Sequence, residues 1–374
     1  MWCVLSFIVK TFWYSNPMDF SIESLNDLQN ARKKKRRRFF LILAVLLLIS
    51  ILFLFGEIFV GSSSMTFQES FLALFGQGKA SHIKIMQNIR LPRAIGGFLV
   101  GAGLAIAGLL MQTSLQNPMA SPGTLGISNA AVLGANVAII LLSDNPVKGT
   151  VWNNPSPYGV AGVAFLAALI STAIVLLLGS LKHFSPVTII LIGVGLSAGY
   201  QAITTLIQYF AADNTLASAV YWSFGDIGRI NPQDNILLLV VLLIGVVVFM
   251  LFSSRYDALL LDEKSAASLG VKVPLLRLMA LFIASLITAS IVSLCGIIGF
   301  IGIVAPHICR RIVGNSHKHL IPSSLLMGSI LILGSDLLGR SIASGTSLPV
   351  GALTALFGAP LFIFIVIRRK EVSL

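Results

Sequence analysis

Metal and acid–base chemistry would fall first to the histidines, and the five here, His82, His183, His307, His317 and His319, are not spaced as ligands. No His-Glu-x-x-His occurs and none pairs with a carboxylate at helical spacing, so no catalytic metal site is expected. Cys3, Cys295 and Cys309 also lack metal spacing, and two of them fall in or beside apolar runs, which argues against a disulfide framework. Gly76-Gln77-Gly78-Lys79 has neither the spacing nor the following hydroxyl of a phosphate-binding loop. Ser and Thr abound, but a nucleophile needs a positioned base, and no candidate base lies deep in an apolar run. The chain is therefore expected to be no enzyme and to hold no cofactor or metal of its own.

Ion-coupled carriers place Asp, Glu or Lys near the bilayer midplane. Here Glu57 and Asp336 fall near the outer ends of helices, where a carboxylate faces solvent or pairs locally, and the other charges fall in loops. Energy for transport would then come from a partner ATPase. Leu260 to Val271 is a segment on which such a partner can act: Asp262, Glu263 and Lys264 cluster at its start, Ala266 and Ala267 are small, and after Leu269 a glycine, Gly270, can close a short helix. An ordinary amphipathic connector is the equal alternative.

The elements that carry these groups are membrane helices. With 374 residues, 56% hydrophobic, 11% charged and a mean hydropathy of +0.91, the chain is an integral membrane protein. Apolar runs long enough to span recur for roughly ten crossings. The net charge of +12 reflects orientation rather than nucleic acid, because much of the Lys and Arg flanks apolar runs. Residues 1–38 form an N-terminal cytoplasmic extension with a basic run, Arg32 to Arg38, and either Met1 or Met18 can be the start. The ten-helix region is read as 39–370. Parity from the basic run places both termini in the cytoplasm.

The predicted passes are Phe39 to Val60, then about 94–113, 124–143, 159–180, 187–208, 235–254, 278–295, 297–312, 321–338 and 350–367. The second is crowded with small residues, including Gly97, Gly101, Gly103 and Gly108, so neighbours can pack closely on several sides. No Asp, Glu, Lys or Arg lies between Arg277 and Arg310, so this stretch must enter and leave in two tight, Gly-interrupted passes, typical of backbone lining a transport path. The outer segments are Gly61 to Arg93, Asp144 to Pro157 and Ala211 to Gln233, the last with a re-entrant or surface helix near Tyr221. Every dense basic cluster falls inside; Arg90, Arg93, Arg229 and Arg340 are outside.

Five pieces in order carry a family resemblance: Arg90-Leu91-Pro92-Arg93; Asn117 to Gly123; Glu263 to Gly270; Gly299 to His307; and Leu348 to Gly351 with Gly358-Ala359-Pro360. Over residues 39–369 the chain resembles the FecCD-type permeases of binding-protein-dependent ABC importers, the iron-chelate and vitamin B12 class. That resemblance implies an all-α type II importer permease, paired as a homodimer or heterodimer with the path along the two-fold axis. Two ATP-binding subunits would grip the coupling helix, about 259–271, through Asp262, Glu263, Ala266, Ala267, Leu269 and Gly270. Asp262 stands where the family usually has Gly, which leaves the helix start open. A solute-binding protein would dock on the matching Arg90, Arg93 and Arg340. The cytoplasmic gate would match Phe184, Ser185 and Pro186. The expected cargo is a ferric siderophore, with haem or cobalamin as alternatives. An ion-coupled secondary transporter is the rival from another class.

Overall fold

The computed structural model describes residues 22–60, 65–142, 156–342 and 348–367. The apolar piece Met1 to Tyr14, most of the segment Asp144 to Pro157 and the closing Arg368-Arg369-Lys370 lie outside the described residues. The chain divides into two units, 1–45 and 46–374. The division falls within α1 (Ile22–Phe59), which starts well before Phe39. Leu, Gln, Lys and Arg are all good helix formers, so the basic run continues the helix instead of preceding it. In the first unit the Arg36 guanidinium lies over the Phe40 ring, 5.7 Å from its centre.

In the second unit, two short helices, α2 (Phe67–Leu74) and α3 (Ala80–Ile85), come first after α1. A π-helical turn, Met86–Arg90, leads into α4 (Leu91–Ser114). α5 (Ile127–Asn136) also ends in a π turn, Val137–Leu141. α6 (Pro157–Ser180), α7 (Pro186–Tyr209) and the short α8 (Asp213–Ser223) follow. Next come α9 (Pro232–Leu251), α10 (Ser253–Leu259), α11 (Glu263–Ser268) and α12 (Val273–Cys295). α13 (Ile301–Val313), α14 (His317–Ile342) and α15 (Val350–Ile367) complete the described chain. Proline stands at the first or second position of α4, α6, α7, α9 and α12, where a missing N–H breaks no helical bond.

The ten predicted passes correspond in order to α1, α4, α5, α6, α7, α9, α12, α13, α14 and α15. Seven are long and apolar enough to cross a membrane unaided, while α5, α13 and α15 are shorter. The protein is an all-α, polytopic membrane protein. One expectation is corrected: the stretch after Arg277 is not two tight passes. α12 has 23 residues, a full crossing, and only α13, with 13, is short.

α4 is the helix around which the others pack. In its most apolar window 89% of residues are buried, against 33% for α6 and 17% for α7. Its small residues are the cause. Gly101 meets the Gly328 carbonyl of α14 and Gly108 the Gly302 carbonyl of α13, with no room for a methyl group at either. Gly97 faces Leu333 and Gly103 faces Ile291. Between α12 and α13 the backbone is irregular, and Gly225, Gly296 and Gly351 let two loops and the first turn of α15 touch there. Asp226 N–H donates to the Cys295 carbonyl at 2.7 Å, and Gly351 N–H to Gly225 at 3.0 Å. Non-helical backbone at membrane depth is tolerated when protein covers it or it lines a cavity.

Candidate functional site

α4 starts at one end of the bundle and finishes at the other, about 36 Å away at 1.5 Å per residue. Arg90, Arg93 and Arg340 gather at the first end, but not as exposed charges. Arg93 makes a bidentate pair with Asp336, Nε to Oδ2 at 2.8 Å and Nη2 to Oδ1 at 2.6 Å. Arg340 pairs with Glu57, and its Nε lies 3.3 Å from Asp336. Both carboxylates are fully buried, and the Arg93 and Arg340 side chains are only 12% and 11% exposed. Arg90 is buried and donates to the Ile58 carbonyl at 3.0 Å. The picture of three exposed rim arginines is therefore corrected, while Glu57 and Asp336 pair locally, one of the two options expected of them. Each guanidinium must have an internal partner, because an unpaired buried charge is too costly.

Between the ends, one face of α7 presents Gln201, Thr204, Thr205 and Gln208, the i, i+3, i+4, i+7 spacing of a single helical face. These line a cavity of about 480 Å³ with Asn129 of α5, Phe224, Ile297, Gly299 and Gly351. Gln208 donates to the Asn136 amide oxygen at 2.9 Å. The wall offers amides and hydroxyls, and Gly195 and Gly199 on α7 face open space. Such a surface can pass a polar solute without gripping it by charge.

The opposite end holds the segment Asp262 to Gly270. Asp262 is the N-cap of α11, its side chain accepting from the Ser265 N–H. That backbone bond holds the Asp262 carboxyl below its ordinary range, and it settles the helix start: Asp replaces Gly as a cap. Gly270 closes the helix with left-handed φ +80°. Its N–H donates to Ala267 and that of Val271 to Ala266, the paired bonds of a Schellman motif. Ala266 is buried while Leu261 and Leu269 are 70% and 67% exposed.

Phe184, Ser185 and Pro186 form the turn from α6 to α7. His183 and Phe184 both have left-handed φ, +50° and +57°, costing about 1–2 kcal/mol each for residues with a Cβ. What holds them is a residue the sequence reading used only as a cytoplasmic marker. Arg277, 1% exposed, donates from Nη1 to the Phe184 carbonyl at 2.6 Å, from Nε to Ser114 O at 2.7 Å and from Nη2 to Glu263 Oε1 at 2.5 Å. Hydrogen bonds to a charged group contribute about 1.5–3 kcal/mol each, enough to offset the turn. The signal was legible: one turn into an apolar helix begun by Pro274, an arginine needs buried acceptors.

A second polar knot, also missed, lies beside it. The Asp257 Oδ1 of α10 meets both the backbone N–H and Nδ1 of buried His317, at 2.8 and 2.6 Å. Nε2 of His317 shares a hydrogen bond with the Thr113 hydroxyl of α4 at 2.9 Å. Burial works to raise the Asp257 carboxyl, but the bonds from His317 outweigh it and hold the group below its usual range. Gln116 donates to the Leu259 carbonyl at 2.8 Å. The end of α4 is thus tied to α10, α11, α14 and the α6–α7 turn.

Among the described residues no group of three His, Cys, Asp or Glu is arranged to hold a metal. Similarity to known proteins agrees with a transport role. The chain is 40% identical over 314 residues, 83% of its length and 90% of the relative's, to a protein of Methanocaldococcus jannaschii named as an ABC transporter permease. It is 35% identical to the vitamin B12 import system permease protein of Vibrio vulnificus, covering 81% of this chain and 88% of that one. A solved structure described as an inward-facing conformation of a metal-chelate type ABC transporter superposes with a TM-score of 0.75 at 30% identity, over 87% of this chain and 99% of the other. The family model for FecCD transporters matches residues 43–368. The chain belongs to the FecCD transport family.

Proposed function

We propose that the protein is the membrane-spanning subunit of a binding-protein-dependent ABC importer in the plasma membrane, carrying a bulky metal chelate, a ferric siderophore, inward. The observation that carries this reading is the capped, partly exposed α11, tied through Glu263 and Arg277 to the turn at Phe184. Two ATP-hydrolysing subunits seat on α11 from the cytoplasm, and the chain itself hydrolyses nothing. A second permease subunit, the same chain or a close relative, faces α7 and completes the conduit. A solute-binding protein delivers cargo at the end carrying Arg90, Arg93 and Arg340. Haem and cobalamin are the alternative cargoes, since the relatives handle metal chelates of several shapes. Neutral amides and hydroxyls along α7 support a path that binds none of them tightly.

Reconstitution in liposomes with and without a candidate partner ATPase tests the reading, with ferric hydroxamate, haemin and cyanocobalamin as probes. Uptake that requires both ATP and the ATPase is expected, highest for the ferric hydroxamate. Uptake driven by an ion gradient alone would sink the proposal. Sidedness is checked by a cysteine placed at Leu269 and labelled in intact cells; exposure to an impermeant reagent from outside would invert the arrangement.

A further inference from the structure

The Arg277 guanidinium joins α11, the α6–α7 turn and the end of α4. Resting on the function proposed above, we infer that Arg277 is a positioning residue: a latch that holds the Phe184 turn closed while Glu263 is in place and frees it when the α11 helix moves.

Three features of the contact carry this. All three nitrogens of the fork are engaged, with Nε, Nη1 and Nη2 each bonded to a different element. A planar arginine therefore fixes the three relative to one another, which a lysine cannot do. Glu263 is the carboxylate in the contact, and its side chain is 45% exposed whereas Arg277 is 1% exposed. A partner seated on α11 can reach the acid but not the arginine. Finally, the acceptor at the turn is a carbonyl in a left-handed segment of two non-glycine residues. That conformation is uncommon without an outside hold and has an ordinary alternative to relax to.

The two states follow from these contacts. With Glu263 seated, Arg277 is neutralised and its remaining donors pin Ser114 and Phe184. If the ATPase draws α11 away, the buried guanidinium loses its compensating charge and must follow the acid or turn toward water. Either movement releases the Phe184 carbonyl, and the turn between α6 and α7 can swing. Both α6 and α7 leave most of their surface unburied in the single chain, and their close contacts, Gly134 of α5 on the α6 backbone and Gly193 of α7 on Thr124 and Leu125, are the ones about which the turn would swing. This is a two-state element that both sites bias, the physical requirement for coupling.

The test uses the complete transporter in liposomes, with the native cysteines replaced and a nitroxide at Leu181, which is 74% exposed beside the turn. Pulsed electron paramagnetic resonance reads the distance between the two copies with and without Mg-ATP and vanadate. The unaltered protein is expected to shift on trapping nucleotide. Arg277→Lys and, independently, Glu263→Gln are expected to give a broad distribution that no longer depends on nucleotide. In the same vesicles, ATP hydrolysed per ferric hydroxamate carried should rise about tenfold. A lesion that only loosened the fold would lower the melting temperature without erasing the nucleotide dependence. If both variants shift as far as the unaltered protein, the latch is wrong and the importer reading stands. If the unaltered protein neither binds the ATPase nor shifts, the importer reading fails and the latch with it.

Discussion

The two ends of the bundle each bury an arginine from the start of a long helix, but they neutralise it differently. Arg93 is met by Asp336, an acid as hidden as itself, with Arg340 and Glu57 closing the network. Arg277 is met by a half-exposed acid on a six-residue helix and by two carbonyls. In the first arrangement base and acid are paired deep within the chain, although Glu57 Oε1 has no hydrogen-bond partner among the described residues. The second is finished by a group that a partner can reach. Burial of the base therefore says little about whether an ion pair is structural; exposure of the acid says more.

Breaking the closed network should have the largest effect. Asp336→Asn leaves Arg93 without its main partner, and loss of one side of a buried pair costs about 3–5 kcal/mol. A fall of that size in detergent-solubilised stability, followed by thermal unfolding, is expected. A neutral result would mean that the arginines of this end are free to serve a docking partner directly. Charge reversal at Arg340 should likewise act on stability before it acts on salt-dependent capture of the binding protein.

A smaller effect is expected at the other end. Glu263→Gln should lower stability by about 1 kcal/mol, near the upper limit for a partly exposed pair, and be felt mainly in transport. A loss as large as that of Asp336→Asn would erase the contrast between the ends. Removal of the α11 cap by Asp262→Ala should fray the start of that helix. Faster amide exchange at Ser265 and Ala266, with weaker ATPase binding, would report it.

The smallest effect is set by pH. The Asp262 carboxyl is held below its ordinary value, first by the backbone hydrogen bond from Ser265. Its contribution is thus complete above the unfolded carboxylate pKa of about 4 and is lost as pH falls through the lower folded value. Exchange protection in α11 should be flat from pH 8 to about 5 and drop only in stronger acid. A drop near pH 6 would implicate a histidine instead.

Much of this was legible in the sequence. Ten apolar runs gave ten helices, Gly101 and Gly108 marked the central one, and Gly270 signalled the end of α11. The failures share a cause. Charge counting at helix ends places a residue near a surface without saying where its head points. The partners that decide it, Asp336 for Arg93 and Ser114 for Arg277, are 243 and 163 positions away. Local pattern also cut α1 at Phe39, because a basic run reads as a boundary although its residues favour helix. It shortened α12 because Arg277 was taken for a boundary, although the helix begins at Val273; its end before Gly296 was read correctly.

Backbone pressed on backbone, where α4 crosses α13 and α14 at Gly108 and Gly101, leaves no side chains in between to repack. Those three helices are bound to travel as one rigid keel. Any alternation of access has to take place around that keel, and the turn at His183 and Phe184, with its left-handed backbone, is a point where α6 and α7 can change their angle.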